Sequence, residues 1–288
     1  MNPFEPPTET EYTVLNLGAG VQSSCLALMC ERGEITPKPD FAVFADTGAE
    51  PDSVYKWLDW LESQLSFPVI CVSYGSLLDV SLTPVVTSRG PRKGETRMRR
   101  DIPLFGMDSN GKQAAALGRS CTADYKIRPI IREIKRRCGV KRGSKDLTVT
   151  QMIGISYDEM QRMKDSNQAW TQHRWPLIEQ RIRRHDCIAW MRNHGYPEPP
   201  RSACFFCPFH SDEEWRRLRD DEPHEFERAI KFDHEIREGF RRHPGQMRME
   251  VYLHKSCKPL SEIDFDNDED KGQETWDFLS ECEGMCGV

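Results

Sequence analysis

Short apolar runs alternate with segments of helical periodicity along the first half of the chain. The runs are rich in β-branched and aromatic residues, have the length of buried strands, and span 12–17, 41–45, 69–72 and 148–155. Apolar residues recur every three or four positions in the segments between them, at 23–32, 51–63 and 127–137. Strands and helices that alternate at this spacing predict right-handed crossovers. We therefore predict an α/β, Rossmann-like parallel sheet with helices on both faces.

The remaining segments lack this regular alternation. Residues 75–120 are rich in Gly, Arg and Ser without a periodic apolar face, which predicts a long mobile loop, and such loops often bind ligands. A helix is predicted over 182–194, and two more over 211–220 and 223–240. We expect three parts, namely a disordered segment at 1–11, a nucleotide-binding domain at 12–210, and a mainly helical extension with a cysteine-bearing tail at 211–288.

Charge is distributed unevenly along a chain whose formal net charge is −6. Arg and Lys are concentrated in 89–145, and acidic residues in 211–288. The basic stretch 88–100 is either solvated surface or a contact for a polyanion such as nucleic acid. No apolar run is long enough to span a bilayer and the start is acidic and proline-rich, so we expect a cytoplasmic protein without a membrane partner.

The sequence GAGVQSS, at 18–24, joins the first predicted strand to the first predicted helix. Such a turn gathers backbone N–H groups and the positive end of a helix dipole, which suits a phosphate group. The loop has no lysine, so it is not a Walker A loop. Gly18 and Gly20 fit a dinucleotide-binding fingerprint in which Asp46 would bind ribose, but Ser23 occupies the position of the third glycine.

The loop is similar to the SGGxDS loop of ATP pyrophosphatases, with Gln22 at the Asp position as in sulfonucleotide reductases. Further segments resemble that family in the same order: FADTGAEPDSVYKWLDWLE (44–62), CTADYKIRPI (121–130), MIGISYDEMQRM (152–163), RWPLIEQRIRRHDCIAWMRNHGYPEPP (174–200), SACFFCPF (202–209) and the terminal ECEGMCGV. The chain therefore resembles the phosphoadenosine phosphosulfate (PAPS) reductase family, within the adenine nucleotide alpha hydrolase superfamily.

This resemblance implies a site for an adenine nucleotide, which is ATP, adenylyl sulfate (APS) or PAPS. Mg²⁺ is an additional candidate cofactor. The residues that it assigns to nucleotide binding are Gly18, Ala19, Gly20, Gln22, Ser23, Ser24, Asp46, Thr47, Gly48, Lys126, Arg128, Gly154 and Arg162. Asp46 and Thr47 follow the second strand, at the sheet edge where ligands of open α/β sheets bind.

Eleven cysteines in a chain expected to be intracellular favour metal, cluster or redox roles over disulfides. The Cys204–Cys207 CxxC pair lies in a predicted loop, as metal ligands often do, and Cys121 is the expected third ligand. The resemblance implies a [4Fe–4S] cluster, and zinc bound by the same three cysteines and His210 is the alternative. Such a cluster has either three protein thiolates and one open iron, free to hold sulfide, substrate or a serine oxygen, or a fourth ligand. The candidates for a fourth ligand are Cys187, Cys257 and His210. Four other cysteines are expected to pack in the core, namely Cys25, Cys30, Cys71 and Cys138.

Cys282 and Cys286 lie near the C-terminus, where local pattern gives no structural reason for a cysteine. The resemblance implies that Cys282, or alternatively Cys286, attacks the sulfur of a bound sulfonucleotide. An external thiol donor such as thioredoxin would then regenerate the enzyme.

The main prediction is thus thiol-dependent sulfonucleotide reduction with an iron–sulfur cluster. The alternatives are an ATP-dependent sulfurtransferase that thiolates nucleic acid, and a non-catalytic nucleotide-sensing module. A homo-oligomer is compatible with each of these predictions.

Overall fold

The computed structural model describes residues 4–5, 7–114, 120–243 and 249–266. The strands in these ranges are β1 (Tyr12–Leu17), β2 (Phe41–Asp46), β3 (Val69–Ser73), β4 (Val85–Val86), β5 (Thr96–Arg97), β6 (Phe105–Asp108), β7 (Gln113–Ala114), β8 (Val149–Ile153), β9 (Thr171–Arg174) and β10 (Met249–Tyr252). The α-helices are α1 (Val21–Glu31), α2 (Asp52–Gln64), α3 (Leu77–Leu82), α4 (Arg128–Arg137), α5 (Pro176–Glu179), α6 (Arg184–Asn193), α7 (Asp212–Asp221) and α8 (Pro223–Arg241).

A parallel sheet of five strands organises the first core, in the order β3-β2-β1-β8-β9 across the described residues. Side chains alternate between its faces with period two. Leu15 and Leu17 of β1 belong to the same apolar cluster as Leu26 of α1, whereas Val14 packs in a separate cluster with Ile134 of α4. The predicted α/β fold with helices on both faces is confirmed. Strand β9 was not predicted, because its sequence, TQHR, contains no apolar run.

The helices near the site bury the faces that their patterns indicate. Ten residues of α1 are buried, so this helix is enclosed on all sides. Helix α2 is amphipathic instead, and buries one apolar face formed by Val54, Trp57, Leu58 and Leu61. A π-helix at Thr122–Ile127 runs directly into α4, which the sequence pattern did not indicate.

The prediction of a loop over 75–120 was wrong for much of that segment. It contains α3, the antiparallel hairpin β4–β5, and the strands β6 and β7, which form a second sheet with β10. These strands have two to four residues, too few to show an alternating pattern. Moreover, β6 pairs with β10, which lies far away in the sequence.

A second core joins this segment to the C-terminal helices. It contains Met98 and Leu104 from the predicted loop, together with Trp215 of α7 and Phe232 of α8. Residues on both sides of position 210 therefore share one core, and the predicted domain boundary there stays a prediction.

The described part of the N-terminal segment contacts the first sheet. The carbonyl of Thr8 accepts a hydrogen bond from the amide of Gln172, and the hydroxyl oxygens of Thr10 and Thr150 lie 2.8 Å apart. Within the described residues, no helix is both long and apolar enough to cross a membrane.

Candidate nucleotide and thiol site

The loop between β1 and α1 presents an uncapped helix N-terminus at the carboxyl edge of the sheet. Ala19 has a φ of +60°, which turns the chain sharply after Gly18. The N-cap residue is Gly20, no side chain caps the helix, and no acidic residue lies in its first turn. Because neither a cap nor a carboxylate compensates the helix dipole there, the first turn of α1 suits an anion.

Ser23 and Gly154 fix the shape of this loop. The N–H of Gly18 donates to Ser23 Oγ at 3.2 Å, and the Ser23 hydroxyl lies 3.4 Å from the carbonyl of Gly20. Gly154, just after β8, packs against the same serine, since a Cβ atom there would lie 2.7 Å from Ser23 Cα. Gly154 therefore allows a close approach that no other residue permits.

The side chains of two further loop residues form hydrogen bonds with neighbouring side chains. The buried hydroxyl of Ser24 accepts a hydrogen bond from Trp57 Nε1 at 3.0 Å, which attaches α1 to α2. The buried Gln22 donates from Nε2 to Glu159 at 3.2 Å and accepts at Oε1 from Arg184 at 2.9 Å. An Asp in place of Gln22 could not donate to the Glu159 carboxylate and would repel it. The choice of Gln22 thus has a local structural reason.

The loop after β2 is organised by Asp46. Its Oδ1 accepts hydrogen bonds from the Gly48 N–H and the Tyr55 hydroxyl, both at 2.7 Å. Burial, and then the hydrogen bond to Asp46, raise the pKa of Tyr55. Gly48 has a φ of +66°, and a Cβ atom there would lie 3.2 Å from Ser76 Cα, so this turn requires glycine.

Each of the three predicted phosphate-binding cations has a carboxylate neighbour. Lys126 Nζ lies 3.5 Å from Glu50, Arg162 lies 2.5 Å from Glu159, and the exposed Arg128 pairs with Asp124. Phosphate binding at this edge would therefore depend first on the loop backbone and the α1 dipole.

The loop at 202–207 docks on both of the preceding loops. The Ser202 hydroxyl donates to the carbonyl of Gly18, and the Phe205 N–H donates to the carbonyl of Ala49 at 2.9 Å. Thr47 Oγ1 lies 3.5 Å from Cys204 Sγ. These three contacts bring the first CxxC cysteine to the same sheet edge as the glycine loop.

Glu50 connects the Cys204 thiol with Lys126. Its Oε1 accepts from the Thr47 hydroxyl at 3.3 Å, while its buried Oε2 has no hydrogen-bond partner among the described residues. Burial, and then the charge of Glu50, raise the pKa of Cys204 well above its ordinary value, and Lys126 opposes them. Cys204 is therefore a protonated thiol at neutral pH.

The described residues do not form the predicted metal site. No three Cys, His, Asp or Glu side chains among them converge closely enough to hold a metal ion. Cys121 directly precedes the π-helix, and its N–H donates to the carbonyl of Asp101 at 2.7 Å. Both Cys121 and Cys204 pack against the second core. Cys207 is half-buried, one turn beyond Cys204. The arrangement of these described residues therefore does not fit a [4Fe–4S] cluster or a zinc ion.

His210 has other partners than a metal in this arrangement. Its Nε2 lies 2.9 Å from the carbonyl oxygen of Cys204, and its Nδ1 lies 3.8 Å from Glu214 Oε2. The other proposed ligands also lie elsewhere, because Cys187 packs in the first core and Cys257 Sγ donates to the carbonyl of Gly106 at 3.5 Å.

The remaining cysteine predictions have mixed outcomes. Cys25, Cys30 and Cys138 are buried as predicted. The prediction that Cys71 packs in the core was wrong, because it is exposed on β3, an edge strand of the sheet. Cys282 and Cys286 lie outside the described residues, so their catalytic role stays a prediction.

Four residues of this site were not singled out by the sequence: Glu50, Glu159, Arg184 and Ser202. All four lie in the motif segments or directly beside a selected residue. Their pairings join positions far apart in the chain, so only the fold reveals them.

Comparison with known proteins gives likenesses to solved structures only. No protein-family model and no curated protein matches the chain. The solved structure of the U34-tRNA thiolase NcsA from Methanococcus maripaludis with its [4Fe-4S] cluster is 14% identical, with a TM-score of 0.36. The alignment covers 83% of this chain and 74% of the thiolase. At this TM-score, the likeness carries no inference about the site.

Proposed function

We propose that the protein is an adenine-nucleotide-dependent enzyme of sulfur chemistry. The observation that supports this proposal best is the docking of the 202–207 loop on the glycine loop, through Ser202 and Gly18. It places the Cys204 thiol beside the crevice at the carboxyl edge of the sheet, where ligands of open α/β folds bind.

In this proposal the first turn of α1 binds the nucleotide phosphates. The carboxylate oxygen of Glu50 that lacks a partner among the described residues is suited to accept a hydrogen bond from a ribose hydroxyl or an adenine amino group. Asp46 is less suited to that task, because its Oδ1 already accepts two hydrogen bonds.

The reaction that we favour is ATP-dependent sulfur transfer. A substrate oxygen attacks the α-phosphorus of ATP and releases pyrophosphate. The Cys204 thiolate attacks the outer sulfur of an external persulfide donor, the donor leaves as its thiolate, and Cys204 now carries a persulfide. The outer sulfur of this persulfide displaces AMP from the activated carbon. Cys207 then attacks the Cys204 sulfur, which releases the thiolated product and leaves a Cys204–Cys207 disulfide. An external thiol supplies the two electrons that reduce it.

The short spacing of the two cysteines supports this sequence of steps. The Cys207 N–H donates to the carbonyl of Cys204 at 2.9 Å, so the two residues share one turn. The pKa of Cys204 is raised overall, and Lys126, 3.5 Å from Glu50, limits that rise and so favours the thiolate that the first step requires.

Sulfonucleotide reduction, the reaction of the PAPS reductase family, is the second candidate. The observation in its favour is the Glu281–Cys282 pair near the C-terminus, which resembles the nucleophile of that family. Gln22 no longer distinguishes the two reactions, because Glu159 and Arg184 account for its identity.

Turnover of labelled nucleotides under anaerobic conditions tests the proposal. Sulfur transfer predicts AMP and pyrophosphate from ATP, and a Cys204→Ser variant that still forms pyrophosphate but no thiolated product. Sulfonucleotide reduction predicts sulfite from APS or PAPS, abolished by Cys282→Ser. Cys71→Ser is the matched control, because Cys71 is exposed on an edge strand. Failure of the folded protein to bind any adenine nucleotide would refute both reactions.

A further inference from the structure

A polar pocket lies at the base of the β4–β5 hairpin, and we call it the arginine pocket. Its volume is about 660 Å³, and it is lined by Val85, Val86, Thr87, Ser88, Arg97, Met98, Arg99, Arg100, Asp101 and Ser120. This volume is within the range of pockets that bind small ligands, of the size of one nucleotide unit.

The arginine pocket is anchored firmly to the second core. Met98 is buried and approaches α8 so closely that a Cβ atom on Gly239 would lie 2.6 Å from Met98 Cε. Asp101 is buried and its carbonyl accepts from the N–H groups of Ser120 and Cys121, at 3.1 and 2.7 Å. The floor of the pocket is thus fixed by packing and backbone hydrogen bonds.

The charge of the pocket and hairpin is strongly positive. Residues 88–101 contain six Arg or Lys residues and two carboxylates. Asp101 pairs with Arg99 at 2.5 Å, and Glu95 lies 4.0 Å from Arg92. Arg97 and Arg100 are exposed, and neither has an ion pair with another residue of the described ranges. Their guanidinium groups are therefore available to an anion.

One continuous segment of the chain links the pocket to the residues around the candidate thiol site. Ser120 lines the pocket, and the next residue, Cys121, directly precedes the π-helix that contains Lys126. Lys126 in turn pairs with Glu50, which accepts a hydrogen bond from Thr47. The residues that would contact a ligand in the arginine pocket are thus connected, through this segment and the Lys126–Glu50 pair, to the residues around Cys204.

We infer that the arginine pocket and the β4–β5 hairpin bind the phosphodiester backbone of a single-stranded polynucleotide. A basic hairpin with exposed charges from Arg89 to Arg100 suits repeated phosphates better than one small anion. The concave pocket accepts a single unpaired nucleotide, which a continuous duplex cannot supply without base flipping. The inference deepens the proposed function, because it names the class of substrate for sulfur transfer.

Binding of labelled oligonucleotides to the full chain, without ATP, tests this inference. Fluorescence anisotropy is measured with single-stranded RNA, single-stranded DNA and duplex DNA over a range of salt concentrations. The test variant is Arg97→Gln/Arg100→Gln. The matched control is Lys141→Gln/Arg142→Gln, which also removes two exposed charges. These residues lie in the loop before β8, at the amino ends of the parallel strands, whereas the candidate site lies at their carboxyl ends.

The inference predicts tighter binding of single strands than of duplex. The Arg97/Arg100 variant should lower the slope of log K against log salt by about 1.4, since each phosphate contact on a single strand contributes about 0.7. The affinity of this variant for single strands should fall about tenfold, and that of the control variant should change by about twofold or less. Unchanged circular dichroism and melting temperature would show that both variants fold.

Three results would overturn the inference. The first is an equal loss of oligonucleotide affinity in both variants, and the second is no binding of any polynucleotide. The third is displacement of the oligonucleotide by inorganic pyrophosphate to the same extent in the Arg97/Arg100 variant and the unsubstituted protein. The outcome is separate from that of the proposed function. Oligonucleotide binding without nucleotide turnover would refute the proposed function alone, and turnover without oligonucleotide binding would refute this inference alone.

Discussion

The hydroxyl oxygen of Thr47 lies 3.5 Å from the thiol sulfur of Cys204. Thr47 is the first residue after β2, and Cys204 is the first cysteine of the CxxC pair. The contact joins the carboxyl edge of the sheet to a loop that follows the whole sheet in sequence. Since ligands of open α/β sheets bind at this edge, the contact places the thiol beside the edge where we propose that a nucleotide binds.

Gly154→Ala should impair both stability and nucleotide binding. The new Cβ atom would lie 2.7 and 2.8 Å from the Cα and N atoms of Ser23, and backbone atoms cannot move aside cheaply. Overpacking of this kind costs about 1–3 kcal/mol. Urea unfolding and calorimetric titration with ATP measure the two effects.

Gly239→Ala is the matched control for that substitution. Its new Cβ atom meets the flexible end of Met98, and alanine favours the α8 helix, so nucleotide affinity should not change. Equal nucleotide affinity of Gly154→Ala and the unsubstituted protein would contradict the assigned role of the loop.

Ser24→Ala and Ser23→Ala should have different effects. Ser24→Ala leaves the buried N–H of Trp57 without its acceptor, which should lower the free energy of unfolding by about 1–3 kcal/mol. Nucleotide affinity should be nearly unchanged, because Ser24 acts between α1 and α2. Ser23→Ala removes the acceptor of the Gly18 N–H and should weaken nucleotide binding. A loss of nucleotide affinity in Ser24→Ala but not in Ser23→Ala would contradict the roles proposed for the two serines.

Glu50→Gln should make Cys204 more reactive. The Glu50 charge raises the pKa of this thiol and Lys126 lowers it, so neutralising Glu50 lowers the pKa and increases the thiolate fraction. Alkylation of Cys204 by iodoacetamide at pH 8, followed by peptide mass spectrometry, should accelerate about three- to tenfold. Lys126→Met should have the opposite effect. The exposed Cys71 in the same samples is the internal control, and a parallel change there would disprove a local effect.

Glu214 should contribute to stability only above acidic pH. Burial raises the pKa of Glu214, but His210 and the ion pair with Arg201 at 3.2 Å outweigh it and lower the pKa to about 2. A lowered pKa contributes stability above the unfolded-state value of about 4.3, and this contribution disappears as pH falls toward 2.

Urea unfolding of Glu214→Gln over a pH series tests this expectation. The variant should be less stable by an amount on the order of 3 kcal/mol at pH 6, and the difference should shrink steadily below pH 4.5. Glu213→Gln is the control, because Glu213 is exposed on the same helix turn. A difference that stays constant with pH would contradict the ionised role of Glu214.

The sequence was sufficient for four of the five strands of the first sheet and for the loops at its carboxyl edge. The strands β1, β2, β3 and β8 are short apolar runs that can be recognised in the sequence alone. The glycine loop and Asp46 follow directly from their positions after two of these strands. Local pattern therefore predicts where a ligand site lies.

The partners of the site residues could not be predicted in the same way. Gln22 contacts Glu159 and Arg184, and Ser202 contacts Gly18, so these relationships depend on folding. The same reason applies to β6, whose partner β10 lies near the other end of the chain. His210 illustrates the opposite error, because its spacing from Cys207 resembles a ligand set while its ring contacts Cys204 and Glu214.

Nucleotide protection of Cys204 tests the central claim most directly. The rate of Cys204 alkylation is measured by mass spectrometry while ATP, APS or PAPS is titrated against the full-length protein. If the glycine loop and the 202–207 loop form one site, a nucleotide that binds should change the Cys204 rate at least severalfold, with half-saturation at its dissociation constant. A Cys204 rate that is independent of a nucleotide shown to bind would contradict the account.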